Sequence, residues 1–389
     1  LDDVTRLTRQ LVQIDSSDPG AYETKIAVFI NAWLKQHAPG AKVETDEVLP
    51  KRYNVHAWLK GQTAHPALVY ICHQDTVVLG DDWQQTRPLS GEIKGSRLYG
   101  RGACDMKGGL ASALLAFAAI AQSVAAGQPL RHDFVFIASV DEEDYMRGSE
   151  KAIQSGWVGP EDWVLDGEPT NGLIRMAHKG RTWIQLVAHG MTAHASTPEQ
   201  GIDANAALAQ LMTAIRQQVQ AFPTHPKLGL TTITFGKMLG GYRPYVVPDQ
   251  AKVWVDLRLV PPLTTQKVLQ LFKQEITHTK NEFPGLKVDM IVDGDRPPIE
   301  ENLASPLLAN LKTVVKEVTK RPAKMGVFTG YSDTAVIVGQ LKNVNCLSYG
   351  PGDLQRAHKP DEYVEIADLT RCQRVMQQLA QQVLLNHQC

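Results

Sequence analysis

The chain carries imidazole and carboxylate side chains in five short stretches. His73 begins His73-Gln-Asp75, where the acid could orient the ring and raise its basicity; alone, the pair reads more readily as a partly buried histidine with a polar neighbour. Asp105 lies in Gly100-Arg-Gly-Ala-Cys-Asp105-Met-Lys-Gly-Gly109, a glycine-rich loop whose simplest reading is a helix-capping acid. A phosphate-binding loop does not fit, because Lys107 comes too early for that spacing. In Asp141-Glu142-Glu143, adjacent carboxylates repel one another unless solvated or facing cations, and neighbouring positions point in different directions. One glutamate can then ligate a metal while the next faces a water. Glu168, in Gly-Glu-Pro-Thr, sits in a rigid turn, and His358 sits in the Gly/Pro-punctuated stretch 350–363.

Together His73, Asp105, Glu143, Glu168 and His358 form a mixed N/O set suited to zinc, cobalt or manganese. Five ligands exceed what one zinc ordinarily takes and fit two metals sharing a carboxylate. A structural thiolate site is disfavoured, since no cysteines are paired at ligand spacing.

These residues need a scaffold. Apolar runs at 67–72, 134–139 and 163–166 read as strands, with an Ala-rich helix between the first two. Helical spacing also marks 4–14, 22–37, 306–319 and 366–385, and 346–349 reads as a further strand. The expected fold is α/β, a mostly parallel sheet flanked by helices, with functional groups just past the strand ends. His73, Asp141 to Glu143 and Glu168 fall there. Between 181 and 295 the order becomes strand (182–188), helix (203–221), strand (230–235), strand (251–259), helix (265–277), strand (286–292). That is the ferredoxin-like α+β arrangement. Residues 1–180 with 296–389 are therefore expected to form one domain and 181–295 an inserted second one.

Composition narrows the classes. With 40 Lys+Arg against 41 Asp+Glu among 389 residues, there is no field to draw a polyanion, so nucleic acid is not an expected partner. Five cysteines do not make a disulfide framework, which favours a reducing, cytoplasmic setting. The first residues lack the pattern of a signal peptide, although a chain beginning at Leu1 leaves periplasmic or secreted placement open. The uncharged segment 108–128 is rich in Ala and Gly and broken by Ser112, Gln122 and Ser123, so a buried helix is expected rather than a membrane span.

The motif series H-x-D, G-x-x-D-M-K-G-G, D-E-E, G-E-P-T and A-H-x-P-D-E-Y, in this order, resembles the di-zinc amidohydrolase and exopeptidase family of acetylornithine deacetylase, succinyl-diaminopimelate desuccinylase, aminoacylase and glutamate carboxypeptidase. The resemblance covers nearly the whole chain. It implies two Zn2+ per chain, with Co2+ or Mn2+ as substitutes, bridged by Asp105. His73 and Glu168 would complete one site, Glu143 and His358 the other. Glu142 would be general base and acid, and Asp75 would orient His73. A cis peptide is expected at Asp105-Met106. In the inserted domain, His194 of Gly190-Met-Thr-Ala-His194 would help form the oxyanion hole, with His189 as the alternative, and Arg258 would grip the substrate carboxylate. Tyr245 stands where many relatives carry a substrate-contacting Asn, and Tyr331-Ser-Asp333 replaces a common Gly-Gly-Thr-Asp.

The resemblance thus points to a hydrolase that cleaves the amide bond of a small N-acyl amino acid, with Met176-Ala-His-Lys-Gly180 leaning toward the acetylornithine type. A di-zinc carboxypeptidase or dipeptidase acting on a short peptide is the alternative. A homodimer through the inserted domain and no membrane partner complete the expectations.

Overall fold

The structure is a computed structural model that describes residues 1–385. It divides into two compact units: Leu1–Met176 with Glu301–Gly326 and the segment from Ser332 onward, and Ala177–Glu300 with Val327–Tyr331. The insertion read from the sequence, 181–295, falls within the second unit.

The first unit is built on an eight-stranded sheet. Its order is Met325–Phe328, Ile174–His178, Cys346–Ser348, Trp163–Asp166, Thr63–His73, His132–Ser139, Arg52–Leu59, Lys42–Leu49. The strands from Cys346–Ser348 to His132–Ser139 run parallel, whereas Arg52–Leu59 and Lys42–Leu49 form an antiparallel flank. The sheet is thus mixed, with a parallel centre.

Alternation explains why both faces are covered. Leu68, Tyr70 and Cys72 point with Phe134, Phe136 and Ala138 into a core shared with the helices Asp3–Val12, Thr24–His37, Gly108–Ala125 and Ile366–Leu384. Ala67, Val69 and Ile71 point the other way, with Val135 and Ile137, against Ala152 and Ile337 of the helices Arg147–Gln154 and Asp333–Leu341. The uncharged segment forms the helix Gly108–Ala125, long and apolar enough to cross a membrane, but its residues from Leu110 to Leu114 are buried in this core. That burial accounts for its apolar composition.

The second unit carries four antiparallel strands in the order Thr232–Gly240, Gln250–Leu259, Gly180–His189, Lys287–Arg296. Helices Ala204–Gln220 and Thr265–Glu282 complete the β-α-β-β-α-β sequence. Both helices start on side-chain caps, Asp203 accepting the Ala206 N–H and Thr264 the Lys267 N–H. One sheet face, with Ile184, Leu186, Val253, Val255 and Leu257, is apolar and buried with Leu208, Leu211 and Phe272. The strand expected at 230–235 starts at Thr232 and continues to Gly240, past an irregularity between Phe235 and Lys237.

Candidate metal centre

His73 ends the buried strand Thr63–His73, which leaves no freedom in its backbone. Its Nδ1 lies 2.9 Å from the backbone carbonyl of Asp75 and 3.7 Å from that residue's Oδ1. Asp75 thus meets the ring most closely through its backbone carbonyl, with its carboxylate farther off. The carboxylate instead accepts the Glu143 N–H at 3.0 Å. Nδ1 as donor to a carbonyl leaves Nε2 with a lone pair for a ligand.

That Nε2 lies 3.2 Å from Asp105 Oδ1, 3.7 Å from Glu168 Oε1 and 4.0 Å from Glu142 Oε2. On the other side, His358 Nε2 lies 3.4 Å from Asp105 Oδ2 and 3.0 Å from Glu143 Oε2. The seven acidic and imidazole residues singled out from the motifs of this domain therefore converge, with Asp105 at their centre.

Asp105 comes from an irregular turn, Ala103–Lys107, between a tight glycine loop and the Gly108–Ala125 helix, and its peptide to Met106 is cis as expected. Glu362, within the late motif, clamps this turn. Its Oε1 accepts the N–H groups of Cys104 and Asp105 at 2.9 and 3.1 Å, and its Oε2 pairs with Arg101 at 2.7 Å. Glycines bring the next wall close: a Cβ on Gly109 would meet the Gly167 carbonyl oxygen at 2.0 Å. Only bare backbones pack so tightly, and this sets the start of the helix beside Glu168.

Asp166 sits behind Glu168. Its Oδ2 accepts the hydroxyls of Ser332, Thr334 and Ser348 at about 3 Å each. Asp333 accepts the hydroxyls of Ser139 and Ser149. Ser332 and Asp333, from the stretch that replaces a common Gly-Gly-Thr-Asp, are buried structural ties of the first unit. Tyr331 is buried in the second.

The cluster is poor in cations. Five carboxylates, Asp75, Asp105, Glu142, Glu143 and Glu168, face two imidazoles, so protonation shifts steeply. Burial pushes Glu142 and Glu168 well above the ordinary carboxylate range, and neighbouring acids push them further. Asp75 is pushed up to about 8 by burial. Burial would also raise Asp105, but hydrogen bonds from His358 and His73 hold it below the usual range. Hydrogen bonds to Asp105 and Glu143 raise His358 to about 10. The acids around both imidazoles favour a proton there, and a divalent cation would take that proton's place. The donors gather in overlapping groups, His73 with Asp105 and Glu143, and His73 with Glu142 and Glu168, while His358 reaches Asp105 and Glu143, a set that fits metal binding.

The second unit carries the remaining candidates. His194 is exposed and its Nδ1 accepts the Ser196 N–H at 3.1 Å, which places a proton on Nε2. The Ala195 N–H donates to the Tyr245 carbonyl at 3.2 Å, so Tyr245, itself exposed, shares that loop. His189, the alternative, pairs with Asp289 at 3.0 Å. Arg258 forks onto Asp256, Nε to Oδ1 at 2.8 Å and Nη2 to Oδ2 at 3.1 Å.

Residues 69–382 match the family described as peptidase family M20/M25/M40. A probable succinyl-diaminopimelate desuccinylase of Staphylococcus epidermidis is 26% identical over 390 residues, covering 93% of each chain. An acetylornithine deacetylase of Myxococcus xanthus is 24% identical over 389 residues, covering 96% of this chain and 97% of its own. In fold, the chain is similar to an M20 family metallo-carboxypeptidase from Sulfolobus solfataricus, with a TM-score of 0.77, 18% identity, and 97% and 98% of the two chains covered.

Proposed function

The chain belongs to peptidase family M20/M25/M40, and from that premise we propose that it hydrolyses the amide bond of a small N-acyl amino acid at a pair of zinc ions. The observation that carries this reading is the placement of Asp105, one oxygen toward His73 and the other toward His358. Relatives named as a desuccinylase and a deacetylase along almost their full length support a deacylase.

Zinc held by these ligands would acidify a water and polarise the acyl carbonyl. The protein's own groups do the rest. Glu142 is buried, its carboxylate 4.0 Å from His73 Nε2 and beyond hydrogen-bond reach of that ring, and it groups with His73 and Glu168. Its raised proton affinity suits a group that takes a proton from the attacking water and hands it to the departing nitrogen. The C–O bond forms, the C–N bond breaks, and a carboxylate and an amine leave. His194, with its Nε2 proton, is the donor for the oxyanion, and Arg258 holds the substrate's carboxylate.

A second reading, an exopeptidase cleaving a dipeptide or C-terminal residue, is favoured by the likeness in fold to a metallo-carboxypeptidase. Hydrolysis rates across acetyl, succinyl, formyl and aminoacyl derivatives of a few amino acids, with metal analysis of the same sample, test both. Turnover of acyl derivatives alone supports the deacylase. Turnover confined to aminoacyl derivatives replaces it by the peptidase.

A further inference from the structure

Glu142 and Glu143 sit on a segment that begins and ends in left-handed backbone, Asp141 at φ 67° and Met146 at φ 60°. Neither residue is a glycine, so each is held there against its own preference. The restraint converges on Asp141. Its Oδ1 lies 3.2 Å from Arg52 Nη1, its two oxygens take Arg147 Nη2 and Nε at 2.6 and 2.5 Å, and its N–H donates to Glu23 Oε1 at 3.0 Å.

Arg52 is the hub of this arrangement. It is buried on the strand Arg52–Leu59, with Nε 2.6 Å from Glu23 Oε2, and Nη2 2.5 Å from Glu23 Oε1 and 2.6 Å from Asp18 Oδ2. One guanidinium thus serves three carboxylates, two of them, Glu23 and Asp141, wholly buried. A lysine, a point charge with no fork, could not hold all three. Two residues along the strand, on the same face, Asn54 accepts the Val140 N–H at 3.1 Å and donates to the Gly148 carbonyl at 2.8 Å. Together Arg52 and Asn54 grip both ends of the 140–148 segment from one strand.

We infer that Arg52 is a positioning residue for the reaction: through Glu23 and Asp141 it fixes the segment that presents Glu142 and Glu143 to the metal pair. This rests on the roles proposed for those two glutamates. Left-handed non-glycine residues and a three-acid buried charge cluster both weaken a structure unless the geometry they enforce is used.

The test uses the full chain with Arg52→Lys, and Arg147→Met as a second variant whose side chain is partly exposed and whose loss leaves the core intact. Hydrogen–deuterium exchange of the 140–148 segment is read beside kcat, KM and metal content. In Arg52→Lys the segment should exchange faster while the Gly108–Ala125 helix keeps its protection, and kcat should fall roughly 10- to 100-fold with KM within about twofold, the scale of a reacting group displaced by about 1 Å. A folded Arg52→Lys with unchanged exchange and unchanged kcat overturns the inference. If Arg52→Lys does not fold, Arg147→Met decides in the same way, with a smaller kcat loss of several-fold expected. Glu142→Gln in the same assay separates the two claims: if it keeps full turnover, the role of Glu142 fails whatever the exchange data show, and the exchange data alone then judge the anchoring.

Discussion

The two oxygens of Asp105 face two different imidazoles, Oδ1 lying 3.2 Å from His73 Nε2 and Oδ2 3.4 Å from His358 Nε2. A carboxylate used on both edges could bridge two metals, with Glu168 3.7 Å from the His73 imidazole and Glu143 3.0 Å from that of His358.

Asp105→Ala should therefore cost both metals, whereas Glu168→Ala should cost mainly one. Elemental analysis after dialysis checks this: well below one metal per chain for the first, about one for the second. Equal losses in both variants would remove Asp105 from its shared position.

Glu362 supports that bridge from behind, through two backbone N–H groups and Arg101. Glu362→Ala leaves the buried Arg101 without its carboxylate and held only by the carbonyls of Val78, Leu79 and Lys359, for which a loss toward the lower end of about 3–5 kcal/mol is expected. Denaturant unfolding of the two proteins measures it. Metal affinity should fall as well, because the Asp105 turn loses its clamp.

Arg258 offers a different signature. If it holds the substrate's carboxylate, Arg258→Met should raise KM by at least about tenfold, the worth of one charge-assisted pair, with a smaller change in kcat. The corresponding amide substrate should show no such penalty. Equal losses on both substrates would confine Arg258 to its pairing with Asp256.

Stability should carry a pH signature from His56, which is wholly buried, stacks on Trp157 at 4.4 Å and has its proton affinity lowered to about 4, mainly by burial. Above the unfolded value of about 6.5 both states are neutral, and His56 contributes no pH dependence. Below it the unfolded chain binds a proton that the folded chain refuses, so stability falls as pH drops from about 6.5 to about 4 and levels off beneath. The loss amounts to about 3 kcal/mol. Melting curves of wild type and His56→Phe across that range should converge toward low pH. Parallel curves would assign the acid sensitivity to other groups.

The chemistry was more legible in the sequence than the scaffold that aims it. His73, Glu142, Glu143 and Glu168 follow short apolar runs, and a residue just past a buried strand has few places to go. The second unit's helices were equally plain, because their apolar positions recur at helical spacing between capping residues. The antiparallel flank, Lys42–Leu49 and Arg52–Leu59, was not: the first is an edge strand whose exposed polar residues give no apolar run. With it went Arg52 and Asn54, whose partners Glu23, Val140 and Gly148 lie 29 to 94 residues away. Glu362 stood inside a quoted motif, yet only its contacts with Cys104 and Asp105 give it a task. Which group of Asp75 meets His73 was not legible: residue 75 offers a carbonyl and a carboxylate, and spacing alone does not choose between them.

The measurement that bears most directly on the whole account is metal content and turnover of Glu142→Gln, taken on one sample with a substrate the wild type hydrolyses. The predicted result is about two metals per chain, as in the wild type, with kcat lowered by roughly 10²–10⁴, the range for losing a general base. Turnover close to that of the wild type at full metal content would contradict it.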